Sequence, residues 1–160
     1  MIIAICPGSY DPIQNGHLDI IKRASMLADK VYVVIGVNPD KNTLFSIDER
    51  IKMIKKVTKK IPNVIVSYNP GLTVDYATKV GASLIIKGYR NDEDLEYELD
   101  MANKNKLLAP NIHTILLQSN KEYKDLSSSF IKESIQKGID VSRYLPHEII
   151  KQVVNKIKKA

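Results

Sequence analysis

Three groups of side chains in this sequence have the types and spacing to handle phosphate. The first is Pro7-Gly8-Ser9-Tyr10-Asp11-Pro12-Ile13-Gln14-Asn15-Gly16-His17, a glycine-containing loop that runs into a helical pattern. Free backbone N–H groups and the positive end of a helix dipole attract anions. Gly8 and Gly16 would let the backbone approach a ligand closely, and His17, on the first helical turn, can donate to a phosphate oxygen. The second group is Lys87-Gly88-Tyr89-Arg90, two cations around a glycine after an apolar run. The third is Ser127-Ser128-Ser129, hydroxyls at the head of another helical pattern. Lys41 adds a further cation. A polyphosphate spreads its charge over many oxygens and needs several such donors.

Plainer readings compete. Asn15-Gly16 is also the strongest short hairpin signal, but a hairpin needs alternating strands on both sides and the downstream period is helical. Each lysine and arginine could be an ordinary surface charge, Lys41 most readily. Other chemistries lack their residues. No carboxylate pair stands at glycosidase spacing, and His17, His113 and His147 are too scattered for a metal-ligand cluster. No Gly-x-Ser-x-Gly elbow is present. The one cysteine, Cys6, ends an apolar run and reads as a small core residue rather than a nucleophile.

These groups need a frame, and the pattern alternates strand and helix throughout. Apolar runs at Ile2–Ile5, Val31–Val37, Val64–Val66, Ser83–Ile86 and Thr114–Leu117 predict five strands. Helical periods follow each of them. Leu18, Ile21, Ala24, Leu27 and Ala28 share one face. Ser46-Ile47-Asp48-Glu49 is a capping box that opens a helix with Ile47, Ile51, Ile54 and Ile61 aligned. Helices are predicted over Leu72–Val80, stopped by Gly81, over Asp92–Leu108 with a core stripe of Leu95, Leu99 and Ala102, over Ser127–Gln136, stopped by Gly138, and over Pro146–Ile157. Tyr97, Met101 and Leu108 lie beside the stripe of the long helix and suggest a second buried contact. The fold class is α/β: a doubly wound, Rossmann-like parallel five-stranded sheet with helices on both faces. Ligands of such sheets lie beyond the carboxyl ends of the strands, near the switch point. That gathers residues 9–17, 38–41, 70–73, 87–90 and 118–129.

With 160 residues the chain is expected to be one domain, 1–160. One cysteine and no long apolar stretch or leader fit a cytoplasmic protein with no membrane association. The net charge of +6 suits either an anionic small molecule or nucleic acid. The lysines of 52–60 and 156–159 alternate with apolar positions and read as solvated faces. With two Phe and no Trp, no stacking platform for single strands is visible. No nucleic acid partner is expected.

The signature residues resemble a known family. Pro7-Gly8-Ser9-Tyr10-Asp11-Pro12, Asn15-Gly16-His17 and Leu126-Ser127-Ser128-Ser129-Phe130-Ile131-Lys132-Glu133 look like the two signatures of the nucleotidylyltransferase superfamily. Lys87-Gly88-Tyr89-Arg90 and Leu95-Glu96-Tyr97-Glu98 are similar to one branch of it, the bacterial phosphopantetheine adenylyltransferases. The resemblance implies transfer of the adenylyl group of ATP to 4′-phosphopantetheine, with Mg²⁺, giving dephospho-coenzyme A and pyrophosphate. It implies a homohexamer. It implies His17 as the catalytic group, with Ser9, Tyr10, His17, Gly88, Tyr89, Arg90, Glu98 and Tyr123, Lys124, Asp125, Leu126, Ser127, Ser128 and Ser129 at ATP. Ser9, Lys41, Thr73 and Lys87 would bind the acceptor, and no residue is assigned to a metal. Three positions depart from the family: Gln14 where Thr or His is usual, Lys87 where Arg is common, and Thr73 where an apolar residue is common. A relative using a cytidine nucleotide or nicotinamide mononucleotide, and a non-catalytic nucleic-acid binder, are the alternatives.

Overall fold

A computed structural model describes residues 1–160. Five strands form one parallel sheet: β1 (Ile3–Gly8), β2 (Lys30–Gly36), β3 (Val64–Asn69), β4 (Leu84–Tyr89) and β5 (His113–Gln118). Their spatial order is β3-β2-β1-β4-β5. Six α-helices connect or follow them: α1 (Asn15–Leu27), α2 (Ile47–Val57), α3 (Thr73–Val80), α4 (Asp92–Leu108), α5 (Ser128–Gln136) and α6 (Ile150–Lys159). Single 3-10 turns occur at Lys121–Tyr123 and His147–Ile149. The last of these opens what the pattern read as one helix from Pro146. No helix is long and apolar enough to cross a membrane.

The strand alternation sorts side chains between two faces. Ala4, Cys6, Val33 and Ile86 join a large core with α1, α2, α5 and α6, whereas Ile5, Val34 and Ile85 join a smaller one under α3. The double winding expected from the pattern is therefore present. The capping box at Ser46 forms, with Ser46 Oγ accepting from the Glu49 N–H at 3.1 Å. α2 ends at Val57, so Ile61 packs from beyond the helix.

α4 departs from expectation. None of its residues is buried. Leu99, expected in a core stripe, is 49% exposed, and Leu95 and Ala102 are only half-buried. The helical period was there, but α4 lies over β4 and β5 without burying any side chain fully. Instead of filling a core, α4 walls a cavity.

The register of the sheet creates the opening. β1 pairs β2 over six residues, from Ile3 opposite Lys30 to Gly8 opposite Ile35. It pairs β4 over only two, Ala4 opposite Leu84 and Ile5 opposite Ile85. Beyond Ile5 the strands part, and Pro7 has no N–H to offer a ladder there. This is the switch point, where the strand order reverses. Gly88 lets α1 pack close on β4: a Cβ there would lie 2.8 Å from Ile20 Cγ1.

Candidate active site

Two cavities meet at the gap between β1 and β4. The first, of about 260 Å³, is lined by residues that include Gln14, His17, Lys87, Arg90, Ser127 and Ser128. The second, of about 490 Å³, lies over the α3–α4 side and includes Ser9, Lys41, Thr73, Lys87, Met101 and Asn105. Pro7, Gly8, Lys87 and Glu98 belong to both and form the shared wall.

His17 is held by its own helix start. Gln14 is the N-cap of α1 and Oε1 of its side chain accepts from the His17 N–H at 3.0 Å. In return the Gln14 N–H donates to His17 Nδ1 at 3.2 Å. Nδ1 must then be unprotonated, so the neutral ring carries its proton on Nε2. Burial, and then the nearby Lys87 and Arg90 charges, push the His17 pKa down to about 4. The imidazole is thus a neutral donor at pH 7. The Tyr10 ring packs edge-on against it, centroids 4.9 Å apart, and the Tyr10 hydroxyl is anchored to the Cys6 carbonyl at 2.9 Å.

Gly8 and Gly16 line the first cavity and also make room within the loop itself. A Cβ on Gly16 would lie 2.7 Å from Gln14 Oε1, and one on Gly8 would lie 3.0 Å from the Tyr10 ring. They clear space for the two side chains that hold His17.

The cations differ in what already occupies them. Arg90 donates from Nε and Nη2 to the Asp94 carboxylate at 2.8 and 3.3 Å, and from Nη1 to the Leu126 carbonyl at 3.0 Å. These contacts hold the Asp94 carboxyl below the usual carboxylate range. Lys87, on β4 rather than after it, pairs with Glu98 at 3.2 Å. Lys41 is exposed and donates to Ser9 Oγ at 3.2 Å. Ser127 caps α5 by accepting from the Phe130 N–H, and Ser128 donates to the Pro12 carbonyl. The Cys6 thiol, pushed up to about 12 by burial, stays protonated inside the core.

The residues expected at ATP divide. Tyr10, His17, Gly88, Arg90, Glu98, Tyr123, Leu126, Ser127 and Ser128 line the first cavity. Ser9 lines the second. Tyr89 lines neither. Lys124, Asp125 and Ser129 are exposed outside the wall. All four residues expected at the acceptor, Ser9, Lys41, Thr73 and Lys87, line the second cavity. The sequence reading assigned no site role to Gln14, Asp94 or the α4 residues Met101 and Asn105. Gln14 stood in the signature itself. Asp94 could have been found by its i,i+4 spacing from Arg90.

A parallel sheet opened at its switch point, with a helix start and several cations around the gap, defines a nucleotide-handling α/β protein. Residues 5–134 match the family model described as Cytidylyltransferase-like. The chain is 50% identical over 160 residues, all of both chains, to the phosphopantetheine adenylyltransferase of Caldanaerobacter subterraneus subsp. tengcongensis. It is 51% identical over 159 residues, 99% of each chain, to that of Clostridium novyi. The chain belongs to the phosphopantetheine adenylyltransferase family, within the cytidylyltransferase-like proteins. Its fold also matches a bifunctional NMN adenylyltransferase/ADP ribose pyrophosphatase from Francisella tularensis, with a TM-score of 0.71 at 16% identity, covering 99% of this chain and 49% of that one. A lipopolysaccharide core biosynthesis protein from Thermoplasma volcanium matches with a TM-score of 0.55 at 22% identity, covering 76% and 98%.

Proposed function

We infer that this protein transfers the adenylyl group of ATP to 4′-phosphopantetheine, forming dephospho-coenzyme A and releasing pyrophosphate, the penultimate step of coenzyme A synthesis. The observation that carries the reading is the pair of cavities sharing the wall of Pro7, Gly8, Lys87 and Glu98. Two anionic reactants can meet across it. ATP takes the first cavity and phosphopantetheine the second. An oxygen of the acceptor phosphate attacks the α-phosphorus of ATP. The bond from that phosphorus to the bridging oxygen breaks, and pyrophosphate leaves with the electron pair. The attacking group is already an anion, so no covalent nucleophile or strong base is needed. Positioning and charge stabilisation do the work.

His17 is the catalytic residue in this reading. Its Nε2–H donates to an α-phosphate oxygen as charge builds there. Lys41 and Lys87 receive the acceptor phosphate, and Lys87 must exchange Glu98 for it. Thr73 lines the acceptor's path beside Met101.

Mg²⁺ is the expected cofactor. The chain offers it no protein-held site: no three His, Cys, Asp or Glu side chains converge, and the carboxylates of the cleft, Asp94 and Glu98, are paired with Arg90 and Lys87. Bound together with ATP, the ion would neutralise phosphate charge in the first cavity. The test of the whole reading is pyrophosphate release that requires ATP, Mg²⁺ and phosphopantetheine together. Equal turnover with CTP, or with nicotinamide mononucleotide as acceptor, would defeat it.

A further inference from the structure

Arg50 is a charged side chain with no task in the reaction, yet it is only 3% exposed. It pairs with no carboxylate. Its guanidinium donates instead to two backbone carbonyls, from Nη1 to Ser9 at 3.0 Å and from Nε to Ser46 at 3.3 Å. Ser9 is in the loop after β1 and Ser46 caps α2, so one rigid fork ties two segments far apart in sequence. A second tie runs the other way. The Asp11 carboxylate accepts from the Leu44 and Phe45 N–H groups at 2.7 and 2.8 Å. The exposed stretch 38–43, which carries Lys41, runs directly into the tied segment at Leu44. Lys41 touches the body of the protein at Ser9 Oγ, on the residue whose carbonyl Arg50 holds.

We propose that Arg50, seconded by Asp11, is a positioning residue for the acceptor end of the reaction. It fixes the Ser9 backbone, so that Ser9 Oγ and Lys41 Nζ present one preformed phosphate grip to the second cavity. Burying a guanidinium without an anion is costly, and an apolar side chain of similar volume often serves stability as well. What an apolar side chain cannot do is hold two carbonyls at a set separation. The first cavity has side-chain anchors of its own: His17 is held by Gln14, and Arg90 by Asp94 and Leu126.

This inference rests on the second cavity being the acceptor site. The experiment compares Michaelis constants for ATP and phosphopantetheine in wild type, Arg50→Met, Arg50→Lys and Asp11→Asn, with thermal melts as a folding check. In Arg50→Met the constant for phosphopantetheine should rise roughly tenfold, the scale of one charged hydrogen bond, while that for ATP stays within about twofold. Arg50→Lys keeps one donor and should recover part of the loss. Asp11→Asn should shift the same constant in the same direction, and it decides the matter if Arg50→Met does not fold. A purely structural arginine would lower the active fraction and leave both constants alone, and that result overturns the proposal. So does an equal rise in both. Lys41→Ala separates the two levels: a loss confined to ATP overturns the acceptor-site reading itself, and this inference with it.

Discussion

His17 joins three observations: a helix cap that fixes its tautomer, a pKa pushed down to about 4, and a place in the first cavity. If its Nε2–H stabilises charge in the transition state, His17→Ala should lower kcat by about 10²–10³, with ATP binding much less affected. A raised Michaelis constant at unchanged kcat would make it a ground-state binder only. The pKa also has a stability consequence. The unfolded chain takes up a proton at this residue near pH 6.5, the folded one only near pH 4. Above 6.5 the favourable contribution is complete. It is lost as pH falls from 6.5 towards 4, because the unfolded state then binds more protons. Denaturant titrations at pH 7 and pH 5 should differ less in His17→Ala than in wild type. For Lys87, the Glu98 partner changes the expectation drawn from the sequence. Its charge reaches both cavities already neutralised, at 3.2 Å. Lys87→Ala should weaken phosphopantetheine binding by roughly 2–4 kcal/mol and leave ATP nearly unchanged by calorimetry. Glu98→Gln, by releasing the ammonium, should tighten the acceptor. Weaker acceptor binding in Glu98→Gln would show that Glu98 holds Lys87 in its working position. The residue types of the site were legible because phosphate chemistry demands them. Their partners were not, since Glu98 and Leu126 come to Lys87 and Arg90 from elements that only the folded chain brings near.

At the scale of elements, the five strands and most helices could be read because periodicity and punctuation agree with the tertiary structure. Ser46 and Glu49 make the capping box their spacing announced, and Gly81 ends α3 at φ 76°. α4 shows where the reading stops. Leu95, Leu99 and Ala102 have a core stripe's spacing, but spacing does not say what lies opposite, and here it is a cavity and open surface. Four of the five strands were also longer than their apolar runs. β1 and β4 extend through Gly8 and Tyr89, past the apolar runs, where register with β2 and β5 holds them. Two substitutions test how elements place the site. Gly88→Ala puts a methyl group against Ile20 and should cost about 1–3 kcal/mol of stability, as overpacking does, measured by chemical denaturation. Asp94→Asn removes the carboxylate that orients Arg90 from α4. It should raise the Michaelis constant for ATP several-fold and spare that for phosphopantetheine. An unchanged ATP constant would mean that the Leu126 carbonyl alone suffices.

For the whole molecule, the excess positive charge was rightly divided by pattern: the lysines of α2 and α6 face solvent, while Lys87 and Arg90 sit in the cleft. Assembly is the larger question. Tyr97 and Leu108 of α4, about three turns apart on one side of the helix, are each 63% exposed. An apolar face of this kind on a helix with nothing buried fits a contact between copies. Sedimentation at micromolar concentration should find an oligomer, expected to be a hexamer, and Leu108→Glu should dissociate it while leaving the far-ultraviolet circular dichroism intact. A wild-type protein that sediments only as a monomer would refute this. The parting of β1 and β4 has a mechanical side too. Two residue pairs join β3-β2-β1 to β4-β5, against six on each flank. The sheet is therefore two stiff plates sharing a short seam, and both cavities open where the seam ends. A molecule wedged there touches both plates and acts as a removable rivet. Amide exchange in β4 should slow when both reactant sites are filled, more than with either alone, because each rivet stiffens what the other must hold.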